Sequence, residues 1–178
     1  MASFTKKAIV DSFLQLLGKK PIDKITVRDV VDHCGINRNT FYYYFQDIYA
    51  VLEEISHIVA ESLPVEASLS VTIEAFFRSM WSFNAANPRI TRGLLMSLGQ
   101  DGLERYFARD MDVVISARLT RDAQWDAAHL RHVTAFLRHA IFGFCIDFLC
   151  LDKNDDFEEM LRDIVRILQD AESFFSRK

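Results

Sequence analysis

The few helix-breaking residues of this chain lie between segments that carry a helical apolar period. There are 6 glycines and 3 prolines in 178 residues. Segments with an apolar residue every three or four positions end near Pro21, Gly35, Pro64, Pro88 and Gly99. Because proline cannot continue a helix and glycine favours its end, this placement predicts an all-α fold of about nine helices. The low Gly and Pro content disfavours sandwiches, barrels and disordered chains.

The predicted helices include a short pair near the N-terminus. Thr26 and Asn37 are natural N-caps for the two members of this pair, and Gly35 separates them. Two short helices joined in this way have the shape of a helix-turn-helix. The other helices are predicted over approximately 5–19, 47–63, 69–86, 90–98, 101–119, 124–151 and 156–175.

The charge of the chain is unevenly distributed. Residues 1–50 carry seven Lys or Arg and five Asp, a net charge of +2, so the other 128 residues carry −6 to give the total of −4. A mildly basic end on an acidic remainder indicates contact with nucleic acid at that end alone.

The cysteines and the apolar runs indicate the cellular location of such a chain. Three scattered cysteines (Cys34, Cys145 and Cys150) are too few for a disulfide framework, which favours a reducing, cytoplasmic location. The N-terminal apolar stretch lacks the cleavage site of a signal peptide. No run approaches the roughly 18 apolar residues that a membrane span requires, so no membrane association is expected.

The most informative segment is residues 26–47, which read TVRDVVDHCGINRNTFYYYFQD. Six apolar residues have the spacing to form the inward core of a two-helix unit: Val27, Val30, Val31, Ile36, Phe41 and Phe45. The outward and flanking residues of the second helix are then Arg38, Asn39, Thr40, Tyr42, Tyr43 and Tyr44. Guanidinium, amide and hydroxyl donors of this kind can read base edges and bind phosphates.

This segment resembles the N-terminal DNA-binding domain of the tetracycline-repressor (TetR) family of bacterial transcription regulators. The family pattern is T-[VI]-x-x-[IV]-[AV], followed by G-[VI]-[SN]-x-x-T-[FL]-Y-x-[HY]-F, and residues 26–45 match it without a gap. The resemblance is specific over about residues 5–55. It implies a DNA-binding domain over residues 1–47 and a helical ligand-binding and dimerisation domain over residues 48–178.

The resemblance also implies DNA contacts position by position. Thr26 would cap the second helix and touch a phosphate, and Tyr42 and Tyr44 would hydrogen-bond phosphates. The residues that face the groove or the bases would be Arg28, Arg38, Asn39, Thr40 and Tyr43. Many relatives carry a phosphate-binding lysine at the start of the fourth helix, where this chain has Ile48. Ile48→Lys is therefore expected to tighten binding to all DNA sequences alike.

The remainder of the chain is rich in aromatic residues that could line an effector pocket. Such a pocket would take a small apolar or aromatic molecule, although the same residues could instead fill the core. The predicted pocket residues are Phe77, Trp81, Phe107, Met111, Phe136, His139 and Phe142.

The segment from 140 to 151 is apolar on nearly every side of its predicted helix. A helix of this kind must be covered all round, either by the same helix of a second subunit or as one fully buried central helix. Gly143 would allow a close approach between two such helices. The first alternative predicts a homodimer held by the last two helices, with interface residues Ile141, Cys145, Phe148, Leu161, Ile164 and Leu168.

Metal binding and catalysis are not expected. His132 and His139 share a helix side but lie about 10.5 Å apart along its axis, too far for one ion. The chain has no G-x-S-x-G, P-loop or dinucleotide motif, so neither a catalytic residue nor a cofactor is predicted.

The expected function is a ligand-responsive repressor that binds a palindromic double-stranded DNA operator as a homodimer. A small effector would release it by favouring a conformer in which the two recognition helices are wrongly spaced. The alternative is a helical protein-interaction module without DNA binding.

Overall fold

The computed structural model describes residues 2–64, 66–122, 126–150 and 156–175. In these ranges helices alternate with short turns, and there is no strand. The all-α prediction is therefore confirmed. The helices are α1 (Ala2–Leu17), α2 (Val27–Cys34), α3 (Arg38–Tyr44), α4 (Ile48–Ser62), α5 (Leu69–Ala86), α6 (Pro88–Asp122), α7 (Ala127–Cys150) and α8 (Phe157–Phe175), with a 3-10 turn at Ile22–Lys24.

The sixth and seventh predicted helices form α6, which is interrupted at Gly99. The backbone there has φ 65° and ψ −177°, a conformation that glycine tolerates and other residues rarely adopt. The predicted stop at Gly99 is confirmed as this interruption. Within the described ranges, no helix has the length and apolar character needed to cross a membrane.

The chain divides into two compact units that differ in extent from the two predicted domains. The first unit comprises Met1–Ile58 and Phe83–Phe107, and the second comprises Val59–Ser82 and Ala108–Lys178. The first part of α6 thus packs with the N-terminal helices. The functional boundary between residues 47 and 48 stays a prediction.

The core of the first unit is built by α1 to α4. Phe13 and Val51 are fully buried there, and Phe41 of α3 inserts between the helices. Ile90 and Leu94 of α6 pack against the same core. Of the six residues predicted to point inward, Val30, Val31, Phe41 and Phe45 are buried, while Val27 and Ile36 are partly buried against them.

Ile48 also belongs to this core, with 7% of its surface exposed. The expectation that Ile48→Lys tightens DNA binding stays a prediction. A lysine there would have to extend past its apolar neighbours to keep its ammonium group hydrated.

The second unit has its own apolar core and a set of polar contacts between distant segments. Ile73, Phe77 and Ile115 are among its fully buried residues. Glu172 of α8 accepts hydrogen bonds from the main-chain N–H and the hydroxyl of Ser70, at 2.9 and 2.8 Å. These bonds anchor the end of α8 to the start of α5.

The side chains predicted to form a dimer interface are mostly part of this second core. Those that a single chain buries are Ile141, Cys145, Leu161, Ile164 and Leu168. Each of them exposes less than a tenth of its surface in the single chain, and their role in a dimer interface stays a prediction. The apolar side chains left exposed on α7 and α8 include Phe136, Phe144 and Ile167. The side chain of Phe148 lies outside the described residues, and dimerisation itself stays a prediction.

Candidate DNA-binding interface

The start of α2 is fixed by a capping box between Thr26 and Asp29. The Asp29 main-chain N–H donates to the Thr26 hydroxyl at 3.2 Å, and the Thr26 main-chain N–H donates to Asp29 Oδ2 at 2.7 Å. Two N–H groups that an isolated helix start would leave unpaired are thereby satisfied. The predicted cap at Thr26 is confirmed.

Asp29 also joins this helix start to the end of α1. Its carboxylate lies 2.8 Å from the Lys20 ammonium group. Hydrogen bonds from Lys20 and Thr26 hold the pKa of Asp29 well below its usual range, because both favour the ionised carboxylate. Asp29 was not identified from the sequence, although an acid three residues after a capping threonine is the signature of this motif.

The turn between α2 and α3 places α3 directly against the core. Gly35 adopts the left-handed conformation, with φ 72° and ψ 30°, and its N–H donates to the Val31 carbonyl at 2.9 Å. Asn37 then caps α3 by accepting a hydrogen bond from the Thr40 main-chain N–H at 2.8 Å. The predicted cap at Asn37 is confirmed, and the two helices together form a helix-turn-helix.

One face of α3 is buried and the opposite face is exposed. Phe41 is completely buried, whereas Arg38, Asn39 and Tyr42 are exposed and Tyr43 has 79% of its surface exposed. At 100° per residue, Arg38 and Asn39 lie one turn before Tyr42 and Tyr43 on the same side. The exposed face of α3 therefore presents a guanidinium, an amide and two phenol hydroxyls together.

The other predicted contact residues lie at the edges of this face or outside it. Tyr44 is half-buried against the core, with its ring edge-on to that of Tyr43 at 4.9 Å between centroids. Thr40 donates its hydroxyl to Asn37 at 3.0 Å. Arg28 lies on α2, where its guanidinium is 3.4 Å from the Asp32 carboxylate.

The positive charge of the first 50 residues is largely neutralised by nearby acids. Five of the seven basic residues form ion pairs: Lys6 with Glu54, Lys7 with Asp11, Lys20 with Asp29, Lys24 with Asp23 and Arg28 with Asp32. In the part of the chain that the structure describes, Arg38 and Lys19 form no such pair. Arg38 is thus the unneutralised cation on the exposed face of α3.

The predicted effector residues do not all face the interior. Phe77, Met111 and Phe142 are buried in the second unit, and the Trp81 ring stacks on that of Phe157 at 4.8 Å. Phe136 is 71% exposed and His139 is exposed as well, so α7 directs both outward from the single chain. Phe107 belongs to the first unit.

His132 and His139 of α7 are exposed. Among the described residues, no group of three or more His, Cys, Asp or Glu side chains is arranged to hold a metal ion.

Comparison with known proteins identifies the N-terminal segment. Residues 9–55 match the family model of bacterial regulatory proteins, tetR family. No curated protein matches the chain.

Solved structures of similar fold cover nearly the whole chain. The TetR transcriptional regulator from Streptococcus agalactiae 2603V is 21% identical, with 94% of each chain covered and a TM-score of 0.61. The dihydroxyacetone kinase operon activator DhaS is 18% identical over 96% of this chain and 97% of that one, with a TM-score of 0.64. The TetR family repressor AlkX from Dietzia sp. strain DQ12-45-1b is implicated in biodegradation of n-alkanes. It is 18% identical over 94% of this chain and 97% of its own, with a TM-score of 0.61.

These identities establish a shared fold. Within this fold, the first unit contains a helix-turn-helix whose α3 has an exposed polar face, and the chain has a second helical unit. Residues 9–55 match the model of the TetR family, and the chain shares its fold with solved TetR-family regulators.

Proposed function

We propose that this protein is a transcription repressor that binds a palindromic operator as a homodimer and is released by a small effector. The observation that carries the proposal is the exposed face of α3, where Arg38 and Asn39 stand at the start of the helix. In helix-turn-helix proteins, residues at the start of the recognition helix contact base edges in the major groove. Because its proposed partner is a DNA operator, the protein would act in the cytoplasm.

We assign recognition of the bases to Arg38 and Asn39. Tyr42 and Tyr43 would position the helix on the phosphate backbone. A guanidinium pairs with guanine and an amide with adenine, each through two parallel hydrogen bonds. Tyr42 and Tyr43 are exposed one turn further along and would hydrogen-bond the phosphate backbone, which fixes register without reading sequence. Thr40 and Tyr44 flank this face, while Thr26 and Arg28 would reach phosphates from α2.

The dimer would form through α7 and α8. Phe136 and Phe144 of α7 and Ile167 of α8 are large apolar side chains exposed in the single chain. Gly143 lies near them on α7, and a methyl group added there would meet no atom within 4 Å. Helices that leave such side chains uncovered offer a surface for a second copy, and a two-fold dimer matches a palindromic site.

The effector would bind in the second unit and act on the spacing of the two recognition helices. It can shift the DNA-binding equilibrium only by its different affinity for the two conformers. The pocket residues predicted from the sequence are the proposed lining for an apolar effector. All of them except Phe107 belong to this unit, where Phe77, Met111 and Phe142 are buried. AlkX is described as a repressor, whereas DhaS is described as an activator.

A protein-interaction module is the second candidate. The ion pairing of five basic residues leaves little free positive charge near α3, and Tyr43 is an exposed aromatic of the kind that interfaces favour.

Salt dependence distinguishes the two functions. Fluorescence anisotropy with labelled duplexes from 50 to 300 mM salt should show log K falling linearly with log[salt], by about 0.9 per phosphate neutralised. The slope should be modest, since few cations face the DNA. Absence of duplex binding at 50 mM salt would favour the interaction module.

A further inference from the structure

A groove of about 500 Å³ lies on the second unit between α6 and α7. Its residues on α6 are Asp112, Val113 and Ser116, and its residues on α7 are Leu130, Arg131 and Thr134. None of the seven residues of the predicted aromatic pocket lines it. A volume of this size is that of a small-molecule site.

Thr134 supplies an unused hydrogen-bonding group in this groove. The residue is buried, with 5% of its surface exposed, and its hydroxyl has no hydrogen-bond partner among the described residues. Two other helical threonines donate their hydroxyl to the carbonyl four residues earlier: Thr72 to Ser68 at 2.8 Å and Thr120 to Ser116 at 3.0 Å. Buried polar groups are normally satisfied, so an unpaired hydroxyl on a residue that lines a groove is available to a ligand atom, which a rotation of the Thr134 side chain would bring within reach.

The charge of the groove favours an anion. Asp112 is neutralised by Arg138, whose Nε donates to Asp112 Oδ1 at 2.8 Å. Arg131 is exposed and forms no ion pair in the ranges that the structure describes. The Arg131 guanidinium interacts with the Asp126 carboxylate only at longer range, so its hydrogen-bond donors are left for a planar carboxylate.

The walls beside these polar groups are apolar. Val113 of α6 has 63% of its surface exposed, and Leu130 of α7 is half-buried. Arg131 and Thr134 are three residues apart on α7, so their side chains are neighbours on one helix face. Leu130 precedes Thr134 by four residues and lies on the same side.

We propose that this groove binds a small carboxylate with an apolar tail. The carboxylate accepts hydrogen bonds from the Arg131 guanidinium and the Thr134 hydroxyl, and the tail packs on Val113 and Leu130. Binding itself is independent of the regulatory role. The consequence that this carboxylate is an effector rests on the proposed function.

Methyl NMR of the full-length protein tests the site directly, since Val113, Leu130 and Thr134 all carry methyl groups. Hexanoate and its neutral analogue hexanamide serve as probes at matched millimolar concentrations. Hexanoate should shift these methyl signals in a saturable manner, and hexanamide should bind at least fivefold more weakly. Equal binding of the two probes, or shifts confined to other methyl groups, would overturn the proposal.

Substitutions assign the two donors. Arg131→Gln should weaken hexanoate binding about tenfold and Thr134→Val at least threefold, whereas Thr134→Ser, which keeps the hydroxyl, and Arg162→Gln on α8 should leave it within twofold. Thr134→Val should unfold at a temperature equal to or above that of the wild type, because it removes an unpaired buried hydroxyl. Unchanged hexanoate affinity in Arg131→Gln or Thr134→Val would refute the assignment.

Duplex binding measured without hexanoate separates this inference from the proposed function. If the protein binds duplex DNA but not hexanoate, the carboxylate site is refuted and the proposed function stands. If it binds hexanoate but no duplex, the site stands and the proposed function is refuted.

Discussion

Gly93 of α6 lies directly against the main-chain carbonyl of Leu17 at the end of α1, where an added Cβ would be 2.7 Å from the Leu17 oxygen. Close by, the Ser97 hydroxyl accepts a hydrogen bond from the Ile22 main-chain N–H at 3.2 Å. The first part of α6 thus meets the backbone at the end of α1 without an intervening side chain. Residues near the middle of the chain therefore help to hold the N-terminal helices in place.

Gly93→Ala should destabilise the first unit by about 1–3 kcal/mol, because backbone atoms cannot move aside as a flexible side chain can. Chemical unfolding followed by circular dichroism measures the change. Met96→Ala, at an exposed position on the same part of α6, is the matched control and should alter stability by less than about 0.5 kcal/mol. Equal stability of Gly93→Ala and the wild type would show that α6 can shift away from α1.

The Asp29 carboxylate should make stability depend on pH in the acid range. Its pKa is lower in the folded chain than in the unfolded one, so its contribution is complete above the unfolded pKa of about 4 and is lost as pH falls further. Asp29→Asn should lower the unfolding temperature at pH 7, and the difference from the wild type should shrink below pH 4. Asp32→Asn, which removes an exposed acid of the same helix, should cause a smaller loss at pH 7. A difference between Asp29→Asn and the wild type that stays constant from pH 7 to pH 3 would contradict this assignment.

The sequence was sufficient for those features that depend on local chemistry. The caps at Thr26 and Asn37 and the interruption at Gly99 follow from the residues themselves, since each satisfies or breaks main-chain hydrogen bonding within a few positions. The exposed and buried faces of α3 also follow from its period.

Features that depend on distant partners could not be read in this way. The segment around Ile141 is apolar on nearly every side, so its period does not say which face meets the core and which is left for a second subunit. The structure buries Ile141 and Cys145 and exposes Phe144. Ile48 is another example, because its burial depends on the core that α1 to α4 build together. The Lys20–Asp29 ion pair likewise requires α1 and α2 to approach each other.

A lysine should strengthen DNA binding at Gln46 at a smaller cost in stability than at Ile48. Gln46 is exposed between α3 and α4, so Gln46→Lys adds a cation without burying it. Binding to all duplexes should tighten alike, and the salt slope should steepen by about 0.9 per added phosphate contact. Ile48→Lys should also tighten duplex binding, but it should lower the stability of the first unit, because Ile48 is part of the core. Gln169→Lys, which adds the same charge to the second unit, is the control, and an equal effect from it would indicate nonspecific attraction.

The proposed dimer should depend on the exposed apolar residues of α7 and α8. Ile167 is 65% exposed in the single chain, so Ile167→Arg should leave folding intact while placing an unpaired charge in the interface. Light scattering at micromolar concentration should show a dimer for the wild type and a monomer for Ile167→Arg. Val71→Arg, at an exposed apolar position of α5, should remain dimeric. A monomeric wild type, or a dimeric Ile167→Arg, would exclude this interface.

Selection from a pool of random duplexes tests the central claim, which is that α3 reads DNA sequence through Arg38. The wild type should enrich a motif with two-fold symmetry whose half-sites are centred about 10 bp, or a small multiple of a turn, apart. Arg38→Ala should lose preference at one base pair of each half-site, at a cost of about 1–3 kcal/mol per half-site. Tyr42→Phe should weaken all sites alike and keep the motif, and Arg166→Ala on α8 should change neither affinity nor motif. An enriched motif without two-fold symmetry, or one that Arg38→Ala leaves unaltered, would contradict the account.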